Sequence, residues 1–243
     1  MEWEWKVYAK YVKRILDFIL SLLALIILMP LMFILWILVR IKLGKPAIFK
    51  QQRPGKNEKI FTLYKFRTMT DEKDENGNLL PDEKRLTKFG KFLRSTSLDE
   101  LPELWNIVKG DMSIVGPRPQ LVKDMVFMTD VQRRRHSVRP GLTGLAQING
   151  RNNITWEKKL SIDLQYLNTI TLKNDFKIIL ATIGKVIKRD GIETEGMDTA
   201  QDFGDYLLGQ GKITKKCYDE KIEKAENIIS NKNKVIKTRK GEC

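Results

Sequence analysis

The chain contains two cysteines, Cys217 and Cys243, far apart and with no C-x-x-C pair. That usage supplies neither a disulfide framework nor a thiolate metal cluster, and it fits a reducing cytosolic setting. Histidine occurs once, at His136. Zinc sites built on several histidines and Ser-His-Asp chemistry are thereby set aside. No G-x-x-x-x-G-K-[S/T] segment occurs, which argues against a P-loop nucleotidase, and no G-x-G-x-x-G, which argues against a Rossmann dinucleotide site. H-E-x-x-H and Asp-x-Asp are also missing, the second removing the motif of many metal-dependent nucleotide-sugar glycosyltransferases. Negative charge is in short supply: Lys+Arg 44 against Asp+Glu 30 leaves +14. Such a surplus suits anionic lipid head groups, phosphorylated substrates or nucleic acid, without choosing among them.

What is present begins with an uncharged run, Phe18 to Val39, interrupted by Pro30. Lys6, Lys10, Lys13 and Arg14 precede it, and Arg40, Lys42, Lys45 and Lys50 follow. Cationic flanks prefer the cytoplasmic face, and here both do. Phe18 to Met29 spans roughly 18 Å and Leu31 to Val39 roughly 13 Å as helix. Neither arm crosses a hydrocarbon core of about 30 Å. A helix bent at Pro30 can enter and leave by one leaflet. A tilted span with a tolerated proline is the competing reading. No second run reaches 18 apolar residues.

The rest reads as one domain with a tail. Ala47-Ile48-Phe49 and Ile60 to Tyr64 flank a Pro54-Gly55 turn and look like strands. Asp71 to Arg85 is a polar loop. Leu86 to Leu93, Asp99 to Val108 (stopped at Gly110) and Leu121 to Arg135 read as helices. Residues 110–120 read as a Gly/Pro-punctuated loop, and 136–151 as loop and short strand. Helices follow at about 155–170 and 174–189. In the second, Phe176, Ile179, Leu180, Ile183, Val186 and Ile187 recur at helical spacing and read as core, with lying flat on a bilayer as the minor alternative. Gly191 would stop it. From about 194 the chain is Lys-rich with weak periodicity: a marginal helix with a disordered end. The fold class expected is α+β, mostly helical, with a few short antiparallel strands. Its divisions are a membrane segment (1–45), a catalytic domain (46–193) and the tail (194–243).

The strongest local signal is Leu93-Arg-Ser-Thr-Ser-Leu-Asp-Glu-Leu-Pro102. Asp99 and Glu100 sit together at an expected helix start. Taken alone, Ser97 with Glu100 is an ordinary capping box. It does not stand alone, because Arg94 precedes it and Gly116-Pro-Arg118-Pro119 follows. A carboxylate among arginines stays ionised and can attack phosphorus or hold a divalent cation. Arginines hold phosphate oxygens bidentately. Lys65 and Arg67 form another basic cluster, as do Arg133, Arg134, Arg135 and Arg139 around His136. Arg133 to Arg135 read as a solvated face. Gln147, Asn149, Gly150 and Arg151 form a polar turn. Jointly they suggest a site for a heavily phosphorylated ligand near a membrane.

These segments resemble the bacterial sugar transferases, the monotopic phosphoglycosyl transferases, and within them the small PglC-like members. The resemblance is carried by Lys13-Arg-Ile-Leu-Asp17 with the hydrophobic run and Pro30, Phe49-Lys-Gln-Gln-Arg-Pro-Gly55, Tyr64-Lys-Phe-Arg-Thr-Met69 and the Leu93–Pro102 segment. Asn106 to Pro119 and Arg139 to Arg151 complete it, and it covers about residues 10–192. One departure is Met29-Pro30, where some relatives have Ser-Pro, whose hydroxyl can satisfy freed backbone. The resemblance favours the re-entrant hairpin, at the inner leaflet of a bacterial cytoplasmic membrane with the catalytic domain on the cytoplasmic face. It implies transfer of a sugar 1-phosphate from a UDP-sugar to polyprenol (undecaprenyl) phosphate, releasing UMP.

By the same resemblance Asp99 is the nucleophile that carries the phosphosugar, Glu100 assists, and Mg²⁺ is the cofactor with Asp99 as its ligand. Lys65, Arg67, Arg94, Arg118, Asn149 and Arg151 are candidates for substrate and phosphate contacts. Asp111 is expected to orient a nearby arginine, and Pro30 to shape the hairpin. Similarity to the PglC-like group points to an N-acetylated donor, a diacetamido sugar among the candidates, with a UDP-hexose as the alternative. A homodimer is left open. No nucleic-acid motif is recognisable, so the rival from another class, a membrane-tethered polyanion-binding protein, rests on charge alone.

Overall fold

The apolar run forms a single helix, α1 (Lys13–Lys42), entered through a π-helical stretch, Tyr8–Val12. The computed structural model describes residues 7–150, 154–188 and 201–241. Within them α1, with the stretch before it, is the one helix long and apolar enough to cross a membrane. Pro30 lies inside α1 and is exposed. One face of α1 is seated on the rest of the protein along its length. Ser21, Leu35 and Val39 are buried, and Ala24, Leu25, Leu28 and Met32 are partly so. The steps of three and four residues are those of one helical stripe. Leu23, Ile27, Ile34 and Ile41 stand exposed.

Two anchors fix the start of α1. The buried Asp17 carboxylate accepts bonds from Ser113 Oγ (2.7 Å) and Ile114 N (3.0 Å). Arg14 donates to the carbonyls of Ile107 (2.6 Å) and Val108 (2.9 Å). The far end packs by hydrophobic contact, with Leu35, Val39 and Leu43 clustering with Ala47, Phe66 and Leu93.

Strands β1 (Ile48–Pro54) and β2 (Ile60–Phe66) form an antiparallel hairpin, Ile48 opposite Phe66 and Pro54 opposite Ile60. Alternation along β2 puts Phe61, Leu63 and Lys65 on one face. Phe61 and Leu63 pack against Leu104 and Ile107, and Lys65 is thereby aimed at the next carboxylates in line. Helix α2 (Lys88–Ser95) is followed by a 3-10 turn, Leu98–Glu100, and then by α3 (Glu103–Lys109). The helix expected from Asp99 to Val108 is thus divided at Leu101-Pro102. Gly110, at φ 90°, closes α3 in the left-handed conformation that glycine adopts without strain.

Asn106 couples α3 to the hairpin. Its Nδ2 donates to Thr62 O (2.7 Å) and its Oδ1 accepts from Tyr64 N (3.1 Å), so one amide does what a neighbouring strand would do for β2. The side chain is completely buried. Asn106→Ala leaves both backbone groups unpaired at roughly 1–3 kcal/mol each. Chemical denaturation of the variant is expected to show a loss of about 2–6 kcal/mol.

Strands β3 (Ser113–Val115) and β4 (Gly141–Thr143) pair in parallel, Ser113 with Gly141 and Val115 with Thr143. This corrects the expectation of antiparallel strands throughout. The two segments meet at glycine: a Cβ on Gly141 would lie 2.1 Å from Gly116 N. The helix expected from Leu121 to Arg135 is broken into Val122–Met125, Asp130–Arg133 and a 3-10 turn. Thr129 restarts it with a capping box, its Oγ1 accepting from Gln132 N and its N donating to the Gln132 side chain.

Helices α4 (Trp156–Leu167) and α5 (Leu172–Lys188) match the expected pair. The core reading of the α5 stripe holds only in part: Ile179 packs against the cluster of Val115, Tyr166, Ile170 and Ile178. Phe176, Leu180 and Ile183 are 58%, 53% and 51% exposed, while Asp175 and Ile178 are buried. The cause is Asp175, which accepts bonds from Tyr8 Oη (2.8 Å), Lys13 Nζ (2.6 Å) and Tyr166 Oη (2.8 Å) and so turns its own face inward. Gly191 lies outside the described residues. Beyond residue 200 two helices follow, α6 (Phe203–Gly209) and α7 (Lys215–Gly241). Phe203, Tyr218 and Ile222 pack on Phe127, Met128 and Trp156, and Ala225 is buried against Val122 and Met125.

Candidate active site

The 3-10 turn after α2 delivers the paired carboxylates. Ser97 enters it at φ 56°, in the left-handed region, and makes no side-chain cap. The capping-box reading of Ser97 and Glu100 is therefore overturned, and the Glu100 side chain is turned elsewhere. Its Oε1 accepts from Lys65 Nζ (2.8 Å) and from Arg118 Nη2 (2.7 Å). Lys65 Nζ also lies 3.0 Å from Glu103 Oε1. Two carboxylates thus share one buried lysine, and one of them also binds an arginine.

The electrostatics separate the three acids. Burial pushes the Glu100 carboxyl up, but Arg118 and Lys65 outweigh it and hold the group far below the usual carboxylate range. Burial raises Glu103 to about 7; Lys65 works against that shift and Glu100 adds to it. Burial and the neighbouring Glu100 raise Asp99 to about 6, against the pull of Lys65, Arg118 and Arg94. Asp99 is 8% exposed and makes no hydrogen bond to any described residue. Glu100 is locked, Glu103 is buried behind Lys65, and Asp99 is the carboxylate left free to react.

Arg94 Nε donates to Thr68 Oγ1 (3.1 Å), which ties α2 to the segment leaving β2. The other candidates lie apart from this group. Arg67 is paired with Asp71 (2.8 Å). Asn149 Nδ2 donates to Leu145 O (2.8 Å) within its own turn. Asp111 bonds Lys109 (3.0 Å), and Arg14 lies within reach of its charge without a hydrogen bond to it. Pro30 is on α1 and touches none of the carboxylates, and Arg151 lies outside the described residues. Of Arg133 to Arg135 only Arg134 is exposed as expected: Arg133 pairs with Glu58, and Arg135 is buried against Asp163. Glu103 was not singled out from the sequence. Its place one helical turn after Asp99 was the available signal.

No group of three or more His, Cys, Asp or Glu able to hold a metal occurs among the described residues. Mg²⁺ needs fewer protein ligands, often one or two carboxylates together with substrate phosphates. Asp99 with a bound diphosphate fits that donor set, and Glu100, held by Lys65 and Arg118, does not add to it.

The bacterial sugar transferase family model matches residues 8–189. The chain belongs to the bacterial sugar transferase family. Among similar members is the "Uncharacterized sugar transferase EpsL" of Bacillus subtilis, 49% identical over 83% of this chain and 98% of that one. The "Undecaprenyl-phosphate galactose phosphotransferase" of Salmonella typhimurium is 38% identical over 75% of this chain and 42% of its own length. The "UDP-glucose:undecaprenyl-phosphate glucose-1-phosphate transferase" of Klebsiella pneumoniae is 41% identical over 71% of this chain and 39% of its own. This sugar transferase thus spans about two fifths of the two larger relatives. The match encloses α1, the carboxylate turn and α5, and excludes α6 and α7.

Proposed function

We propose that this sugar transferase moves a sugar 1-phosphate from a UDP-sugar to undecaprenyl phosphate and releases UMP. The observation that carries the reading is the division of labour among the acids. Asp99 is unbonded and next to three cations, while Glu100 is fixed between Lys65 and Arg118. In the first step an Asp99 oxygen attacks the sugar-linked phosphorus, the bond from that phosphorus to UMP breaks, and UMP leaves. In the second, an oxygen of the lipid phosphate attacks the same phosphorus and the Asp99 carboxylate is released. Arg118, Lys65 and Arg94 hold phosphate oxygens and offset the charge gathered there. Arg67 and Asn149 would first have to give up their present bonds. Mg²⁺, held by Asp99 and the diphosphate, would supply further charge neutralisation.

The two relatives named above for their sugar are named for galactose and glucose. We therefore place a UDP-hexose ahead of an N-acetylated donor. The test is UMP release by purified protein with Mg²⁺ and undecaprenyl phosphate across a panel of both donor kinds. Lipid-dependent release from one donor is the expected result. Release from none, by folded protein, together with retained binding of polyanions, would favour the rival binding role.

The seat in the membrane follows from two faces. Both ends of α1 are tied to the same domain, Asp17 to β3 and Val39 to the Phe66–Leu93 cluster, which supports a re-entrant or in-plane helix over a full span. Leu172, Phe176, Leu180 and Ile183 leave one side of α5 apolar and open, which suits a helix lying in the interface. The domain is proposed to rest on the cytoplasmic face. Single cysteines at Lys10 and Lys45, in a chain lacking Cys217 and Cys243, are expected to react with a membrane-impermeant maleimide in inside-out vesicles and not in right-side-out ones. Labelling of the two sites from opposite sides would mean a span.

A further inference from the structure

The cation that fixes Glu100 is itself fixed through its backbone. Arg118 stands between Pro117 and Pro119, and three successive carbonyls of this loop are bound. Pro117 O accepts from Gly141 N (3.0 Å), Arg118 O from Arg135 Nη2 (2.6 Å), and Pro119 O from Arg53 Nη1 (3.1 Å). Prolines already restrict the backbone on both sides. The three bonds fix the backbone from which the Arg118 side chain reaches Glu100.

Arg135 is the unusual member of the three. Its side chain is 1% exposed, and its partner Asp163, on α4, is 2% exposed. Nε and Nη2 both reach Asp163 Oδ2, at 3.0 and 2.8 Å, and the same Nη2 reaches Arg118 O. A fully buried ion pair gains little stability over apolar residues of the same size, because both charges are stripped of water. What sets the pair apart from apolar residues is the direction of its hydrogen bonds. Beyond Asp163 the guanidinium makes a long contact to His136 Nε2 (3.4 Å) and a short one to Arg118 O (2.6 Å), contacts that an apolar pair could not make. Asp163 aims the guanidinium, and the guanidinium holds the carbonyl of the residue that clamps Glu100 at 2.7 Å.

We propose that Arg135, oriented by Asp163, is a positioning residue for Arg118, acting on the transfer reaction through the Arg118–Glu100 contact. This rests on the transferase reading above. It reaches across the fold: the pair joins α4 to the 3-10 turn after Arg133, and the catalytic loop is its third corner.

The test uses full-length protein with Arg135→Lys, which keeps a charge for Asp163 but cannot serve both partners, and Asp163→Asn as a second variant. Arg118→Ala and the double variant Arg118→Ala/Arg135→Lys complete a cycle. Arg135→Lys is expected to lower UMP-releasing kcat/KM for the donor at least tenfold, with KM for the lipid acceptor unchanged. In the Arg118→Ala background it is expected to change the rate by less than threefold. A readout independent of turnover is phenylglyoxal modification of Arg118, followed by peptide mass spectrometry. Its rate is expected to rise at least fivefold in Arg135→Lys and in Asp163→Asn, read at a temperature where circular dichroism shows each variant folded, because Asp163→Asn leaves a buried guanidinium without its counter-charge and lowers the melting temperature. Multiplicative losses in the cycle, or an unchanged modification rate at Arg118, would overturn the proposal. Wild-type protein that releases no UMP would sink the transferase reading, while the modification rate would still decide the role of Arg135.

Discussion

Asp99→Asn is expected to reduce lipid-dependent UMP release at least about a thousandfold, the scale seen when a covalent nucleophile is removed, and to make the protein more stable at neutral pH. The two effects come from one cause. Burial and Glu100 raise the Asp99 carboxyl to about 6, so the folded protein holds this proton more tightly than the unfolded chain does. Between the ordinary value of 3.8 and about 6 the folded state binds more protons, and stability falls as pH rises through that window. Above it the cost is fully present, and the neutral amide removes it. An active-site group that destabilises the fold is the usual trade between activity and stability. The same shift sets the pH profile: the attacking carboxylate is lost as pH falls through about 6, and donor kcat/KM is expected to fall with it. A variant that is inactive and less stable would indicate that Asp99 serves the fold.

Lys65→Met is expected to cost about 3–5 kcal/mol, because it leaves a buried carboxylate without its cation. Glu103 has no other ion-pair partner among the described residues, whereas Glu100 retains Arg118. The damage is therefore expected to be relieved at Glu103. Lys65→Met/Glu103→Gln should recover a large part of the lost stability, and Lys65→Met/Glu100→Gln should recover less. The sign with pH follows from Glu103, which stands at about 7 even beside Lys65. Without the lysine it takes its proton at higher pH still, so the loss should be smaller at pH 6 than at pH 8. Denaturation of the three variants at the two pH values checks this. Equal recovery by both double variants would contradict the assignment. Activity is not expected to return in either, since Lys65 also serves the phosphate site proposed above.

Much of the scaffold was legible in the sequence because its signals were local. The β1–β2 hairpin follows from strand runs around Pro54-Gly55. Asp99 and Glu100 stand out because two acids lie together in a basic chain. What was not legible depends on partners distant in sequence. Asp175 turned the apolar face of α5 outward because Tyr8, Lys13 and Tyr166 converge on it, and no spacing within 172–188 shows that. Arg135 looked like part of a solvated triplet, and only Asp163, 28 residues away, makes it a buried one. Ser97 and Glu100 have the spacing of a capping box, but Lys65 and Arg118 compete for the glutamate and win, because two buried charge-assisted bonds outweigh one cap. The parallel pairing of β3 with β4 depends on glycines at 116 and 141 meeting backbone to backbone, a contact between segments that each read as a loop.

The central claim is that Asp99 carries the phosphosugar between two half-reactions. The most direct measurement incubates purified protein with the UDP-sugar it uses and Mg²⁺ in the absence of lipid phosphate, quenches in acid, and reads both UMP and the mass of the peptide containing Asp99. A burst of UMP no larger than the enzyme concentration, with a sugar-phosphate mass on that peptide that is lost on adding undecaprenyl phosphate and absent in Asp99→Asn, is the predicted result. A donor that the enzyme turns over with lipid present, yet gives neither UMP nor adduct without it, would contradict the claim and point to direct transfer between the two substrates.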